Sequence, residues 1–196
     1  MTRLVLTFVA TALLLPFPVA GHHQAGSLPD DALGRFHRAI DAYTDLHRRA
    51  ERSLPALQPT SDWMAITRAI EARAAAIRAA RPSAAQGDLF DPAASEVLRG
   101  RIRATLRRRG DGLAEPLEDT DDESISGAMR PVVNGRFPWA RGAMMPPDIL
   151  HVLPPLAEEL QYRFVDRDLV LIDMHADLVV DILPGALPDG ASDSWR

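Results

Sequence analysis

Apolar positions fall into three stretches of helical period, one stretch without a period, and a run of short β-type segments. From Asp30 to Ser53, apolar residues recur at spacings of three and four: Leu33, Phe36, Ile40, Tyr43, then His47, Ala50 and Leu54. This predicts an amphipathic helix, widened by Leu46 and ended by Pro55 and Pro59. Trp63, Ile66, Ile70, Ala74 and Ile77 form a second stripe. It predicts a helix to about Ala80, capped by Thr60 or Ser61, with Asp62 in its first turn where the dipole favours an acid. Pro82 and Gly87 mark a turn, and Asp91-Pro92 reads as a cap followed by proline at the first helical position. The third helix runs to about Arg109, with Ala94, Leu98, Ile102 and Leu106 on one face and Gly110 as its stop. Three such helices with short connections predict a small antiparallel bundle over residues 30–110.

No period holds over residues 111–159. Glu115 to Glu123 carries six acids in nine residues and reads as an exposed acidic loop. Phe137, Trp139, Met144, Met145 and Ile149 then sit among prolines, which predicts an irregular arm packed on a core. Residues 160–184 are β-branched and apolar. Gln161–Val165, Leu169–Asp173 and Leu178–Leu183 read as strands, with turns at Asp166-Arg167 and Met174–Asp177. The spacing by four of Met174, Leu178 and Ile182 leaves a helix as the alternative for the last segment. A three-stranded meander alone is marginal, so helices or the Phe137–Trp139 arm must cover a face of it. Residues 185–196 read as a fraying tail. The expected fold class is α+β: an N-terminal three-helix bundle, a proline-rich arm and a C-terminal antiparallel meander.

The first 21 residues read as an address. Met1-Thr2-Arg3 is a short basic start, Leu4–Leu15 is uncharged and apolar, and Val19-Ala20-Gly21 supplies small residues. This is the pattern of a secretory signal peptide, cleaved after Ala20 or Gly21. The apolar run is too short for a bilayer core of about 30 Å. The expectation is a periplasmic or secreted protein, with no transmembrane segment in its mature form and a flexible leader at residues 22–29.

Composition narrows the chemistry. The 196-residue chain has no Cys, and all 22 of its basic residues are Arg. Thiol nucleophiles, thiolate metal sites, disulfides and Schiff-base or P-loop lysines are excluded. There is no Gly-x-Ser-x-Gly and no His-Glu-x-x-His. Charge is uneven: residues 30–110 hold 15 Arg against 10 acids, and residues 111–196 hold 6 Arg against 17 acids. Such halves face each other or meet different partners.

Few residues suggest a site. Asp173, His175 and Asp177 alternate, so on a strand they would project to one side, within reach of a single divalent metal ion. The plainer reading is a polar turn between buried strands. His22 and His23 would stand at the mature N-terminus, where the amine and a ring nitrogen can chelate copper or nickel, or form only a leader. His37, Asp41 and Asp45 are spaced by four and read as a solvated face, His47 lies on the apolar stripe as a core-edge histidine, and His151 has no evident partner. Arg99, Arg101, Arg103, Arg107, Arg108 and Arg109 crowd the third helix. Without interleaved aromatics, and in an exported chain, they point away from nucleic acid and toward an anionic surface or the chain's own acidic loop.

Several motifs stand together. They include Gly87-Asp88-Leu89-Phe90, Phe137-Pro138-Trp139, Leu153-Pro154-Pro155-Leu156, Tyr162–Leu171 and Ala176–Asp181. Over most of the mature chain this resembles an uncharacterised family of exported bacterial proteins, which implies a signal-bearing chain and assigns no activity. Residues 153–183 are also similar to small periplasmic nickel/cobalt-homeostasis proteins, although Met174-His175-Ala176-Asp177 stands where those have a glycine in the second turn. That similarity implies the meander, and a shared fold does not carry function. The leading expectation is a non-catalytic exported protein that binds an envelope macromolecule or an anionic surface. The alternatives are a periplasmic metal binder and an enzyme whose site the sequence does not display.

Overall fold

The computed structural model describes residues 29–109, 130–139, 142–143 and 145–188. The expected signal peptide, His22 and His23, the acidic loop Glu115–Glu123, Met144 and residues 189–196 lie outside the described residues. The elements in chain order are α1 (Pro29–Arg52), α2 (Trp63–Ala80), α3 (Pro92–Arg109), β1 (Gly142–Ala143), α4 (Pro147–Leu150), β2 (Leu160–Val165), β3 (Asp168–Asp173) and β4 (Leu178–Leu183). The class is α+β, as the hydrophobic pattern indicates.

The helices follow their stripes. Phe36, Ile40, Tyr43, His47 and Ala50 of α1 are buried, as are Ala94, Leu98 and Ile102 of α3. Asp91 caps α3, accepting from the Ala94 amide at 2.7 Å. The cap of α2 is Asp62 itself, which accepts from the Met64 amide at 2.9 Å, whereas Thr60 accepts from the Asp62 amide. The expected cap at Thr60 or Ser61 is therefore displaced by one or two residues, because the Asp62 carboxylate is the acceptor within reach of the free amides. α1 packs against both α2 and α3.

The strands form one antiparallel sheet in the order β1-β2-β3-β4. Residues 178–183 are strand, so the helical alternative falls. Both faces of this sheet are covered, which is why β4 is buried at every position. On one face Leu160, Tyr162, Phe164, Leu169, Leu171, Leu178 and Leu183 share a core with the helices. On the other, Val165, Val170, Ile172, Val179 and Ile182 pack with Phe137 and Val133 of the arm. The same arm reaches both sheet edges. Residues 134–137 bond along β4, with Asn134 N–H to Val179 O at 2.9 Å and Val179 N–H to Gly135 O at 2.9 Å. Five residues on from Phe137, Gly142 and Ala143 pair with Val165 and Phe164 of β2. Open edges invite pairing with other chains, and this crossing shortens the open part of each.

A register shift between Leu171 and Ile172 changes what β4 presents. Strict alternation would turn Asp181 away from Leu178 and Val180. The bulge places Asp181 opposite Leu171 on the helix face, and Ile182 and Leu183 follow in the reversed phase.

Residues 185–188 depart from the expected fraying. Ala186 and Leu187 are fully buried. Leu187 N–H bonds Arg167 O at 3.1 Å, and the Arg167 guanidinium returns a bond to Leu187 O at 3.0 Å. Two apolar side chains with a paired backbone outweigh the Gly/Pro composition that suggested a loose end.

The crossing depends on Gly142. A Cβ there would lie 2.6 Å from two ring carbons of Phe137, a buried side chain that cannot retreat. Gly142→Ala is expected to destabilise by about 1–3 kcal/mol through overpacking. Urea unfolding checks it, with Gly100→Ala as a control of opposite sign, since a Cβ there meets nothing within 4 Å and alanine favours the helix interior.

Candidate functional site

The turn from Met174 to Asp177 organises the most chemically loaded part of the molecule. Asp173, at the end of β3, is completely buried. Its Oδ1 accepts the amides of His175 at 3.0 Å and Ala176 at 2.9 Å, so the carboxylate shapes the turn that follows it. Its Oδ2 takes two groups from α1: the Tyr43 hydroxyl at 2.9 Å and His47 Nδ1 at 2.5 Å. Tyr43 and His47 are one turn apart on α1, which brings both to one point on the sheet. Burial, reinforced by the Asp173 charge, pushes the Tyr43 phenol far above its ordinary value, so it stays protonated and donates. Arg81 lies over the Tyr43 ring at 5.2 Å and donates to Val180 O. His47 Nε2 is buried without a hydrogen-bond partner, and the exposed His175 ring stands 5.7 Å away between centroids.

The outer side of the same turn forms a groove against α2. It encloses about 560 Å³, with Ile70, Ala74, Ala176, Met174 and Trp139 as its apolar walls and Thr67, Glu71, Arg78, Arg136 and Asp177 at its rim. Trp139 is 44% exposed yet held on three sides. Its indole N–H donates to Asp177 at 2.5 Å, its edge meets Phe137 at 4.9 Å, and Arg163 stands 6.0 Å from its ring centroid. Arg136 also donates to Asp177. The apolar line continues along α2 through Ile66, 37% exposed, to Trp63, 69% exposed. Among the described residues, the stripe that predicted α2 is thus buried at Ala74 and Ile77, half-buried at Ile70 and exposed at Trp63 and Ile66. A larger hollow of about 850 Å³ lies between the C-terminal end of α1 and α2, lined by mixed charges and by Pro55 and Leu57 of the connection.

Asp173, His175 and Asp177 are close in sequence but do not act together. Asp173 faces inward to α1, the His175 ring is exposed, and Asp177 faces the groove, bonded to Arg136 and Trp139. A turn, unlike a strand, splays alternate residues. Among the described residues no group of three histidine or carboxylate side chains is arranged to hold a metal ion. The arginine set is divided as well. Arg99 donates twice to Pro184 O and Arg101 to Val152 O, and Arg108 bonds Thr105. Arg103 and Arg107 are exposed with no partner among the described residues, and the Arg109 side chain lies outside them. His37, Asp41 and Asp45 border a shallow hollow beside Pro155. His151 lines a small one near Arg108. The sequence signals for the assembled site were faint. A histidine on an apolar stripe four residues after a tyrosine, and an acid closing an apolar strand, become informative only once α1 and β3 are known to meet.

No family model, no curated protein and no solved structure matches the chain.

Proposed function

We propose that this is an exported, non-catalytic binding protein, and that its groove between α2 and the Met174–Asp177 turn receives an apolar segment of a partner polypeptide in the cell envelope. The observation that carries this reading is the convergence of Trp139, Met174 and the half-buried Ile70 on one groove, with the exposed Ile66 continuing the apolar line along α2. Large apolar side chains exposed together, with polar groups around them, mark interaction sites. A tryptophan fixed in place by three contacts loses little freedom on binding, which favours it as an anchor. Asp173, Tyr43 and His47 are buried beneath the turn, while the open groove holds apolar walls and side chains suited to orienting a ligand; this division favours binding over chemistry in the groove. The Leu4–Leu15 run with its small-residue end supports export. Among the described residues no helix is long and apolar enough to cross a membrane.

Charge favours a polypeptide over a lipid surface. Arg78 and Glu71 are exposed at the rim without partners among the described residues. They lie seven positions apart on α2, about 10 Å along its axis. One open charge of each sign suits a peptide segment bearing both, whereas an anionic membrane would favour arginines alone.

Cross-linking tests this. A photoreactive benzoylphenylalanine is placed at Met174, and the chain is irradiated in its own envelope extract. One discrete protein adduct is expected, abolished by Ile70→Asp and absent when the label stands at Leu150, which is 51% exposed on α4. Adducts at Met174 that match those at Leu150, or that survive Ile70→Asp, would reject the groove as the binding site.

A further inference from the structure

The inner side of the same turn is separate from the groove, and its chemistry is set by the tautomer of His47. Asp173 Oδ1 is occupied by two backbone amides, and Oδ2 faces the Tyr43 hydroxyl and His47 Nδ1. An ionised carboxylate only accepts, so Nδ1 bears the proton that completes this set. In the neutral ring the other nitrogen, Nε2, then bears a lone pair. That atom is buried and has no hydrogen-bond partner. A buried polar atom left in this state needs an explanation, and a missing electrophilic partner is one.

His175 lies where such a partner would be shared. Its ring centroid is 5.7 Å from that of His47, and the ring planes are tilted by 56°. Two imidazoles bound through ring nitrogens to one ion at about 2.0–2.1 Å have centroids roughly 5–6 Å apart at ordinary bond angles. The backbone that carries His175 is fixed on both sides, since Asp173 accepts from its amide and Arg73 donates to its carbonyl at 2.8 Å. A histidine that binds metal through one nitrogen commonly donates its other N–H to a carboxylate, which orients the ring and raises its basicity. Asp173 stands in that position behind His47.

We propose that His47 Nε2 and the His175 ring form a two-histidine site for a divalent transition metal, with Asp173 as the orienting carboxylate. No third described histidine or carboxylate joins them, so water fills the remaining positions. An open site of two imidazoles binds Cu(II) more tightly than Ni(II) or Zn(II), following the usual order for nitrogen ligands. This differs from the Asp173, His175 and Asp177 set that the sequence alternation suggests. Here Asp173 touches the ligand and not the ion, and His47 comes from α1.

The test titrates Cu(II) into the full chain carrying His22→Ala and His23→Ala, which removes chelation at the mature N-terminus. One Cu(II) per chain is expected, with electron paramagnetic resonance showing coupling to two imidazole nitrogens. His175→Ala, an exposed turn substitution, is expected to keep the circular dichroism spectrum, weaken Cu(II) binding roughly tenfold or more, and remove one of the two nitrogen couplings. His47→Gln, checked for folding in the same way, should remove the other. Absence of a Cu(II) site in the parent chain, or a His175→Ala protein with unchanged affinity and unchanged coupling, would overturn the proposal.

Discussion

Asp173→Ala is expected to cost about 3–5 kcal/mol, because it strands several buried donors at once, each costing about 1–3 kcal/mol when unpaired. Four donors converge on this carboxylate: two backbone amides, a phenol and an imidazole N–H. Alanine removes every acceptor and opens a small void between α1 and the sheet. The Tyr43 hydroxyl and the imidazole then remain buried without their acceptor, and the turn loses the contacts that shape it. In a chain of this size each kcal/mol moves the midpoint by roughly 2–4 °C, so a fall of about 10 °C or more should appear in thermal unfolding. Asp173→Asn should be much milder. Its remaining oxygen can keep the two amides. The Tyr43 hydroxyl can rotate to accept from the new NH₂, and His47 can move its proton to Nε2 and accept through Nδ1. A loss under about 1 kcal/mol for Asp173→Ala would show that the cluster contributes little to the fold.

The sequence made the regular elements legible and the connections between them much less so. Helical stripes are local: Phe36, Ile40, Tyr43 and His47 report one face of α1 wherever that helix packs. The strands likewise follow from runs such as Leu169–Ile172. A stripe does not say whether its face is covered, and α2 shows the difference, since Trp63 and Ile66 belong to the stripe but lie exposed. β1, with two residues, and α4, with four, are too short to show a period. The arm has no period at all, because its role is to cross a sheet and bond to two edges, a tertiary task without a local signature. At the site, the sequence drew attention to Asp173 and His175 but paired them with Asp177. The residue that joins Asp173, His47, lies 126 positions earlier. Only the packing of α1 on β3 brings them together.

Asp181 should answer to substitution differently from Asp173, although both are completely buried acids on the helix face of the sheet. Every donor to Asp181 is a backbone amide. Gly87 and Ile182 donate to Oδ1 at 2.8 and 2.7 Å, and Leu89 and Phe90 to Oδ2 at 2.7 and 2.8 Å. The carboxylate sits in a nest of N–H groups built by the turn between α2 and α3, an arrangement that favours an anion. Gly87, at φ 92, adopts a backbone that other residues rarely take, and its amide is one of the nest's donors. Removal of the acceptor strands several amides at once, each at about 1–3 kcal/mol when buried, so Asp181→Ala should lose about 4 kcal/mol or more. Asparagine cannot rescue it. An amide N–H can neither rotate into an acceptor nor shift its proton, so one oxygen of the nest would be replaced by an NH₂ facing donors. The predicted order is therefore specific: Asp173→Asn mild against Asp173→Ala severe, but Asp181→Asn nearly as severe as Asp181→Ala. Urea unfolding of the four variants decides it. If Asp181→Asn proves as mild as Asp173→Asn, the Gly87–Phe90 turn has repacked around the new side chain, and the bulge that aims Asp181 at the turn is not what fixes β4 to the helices.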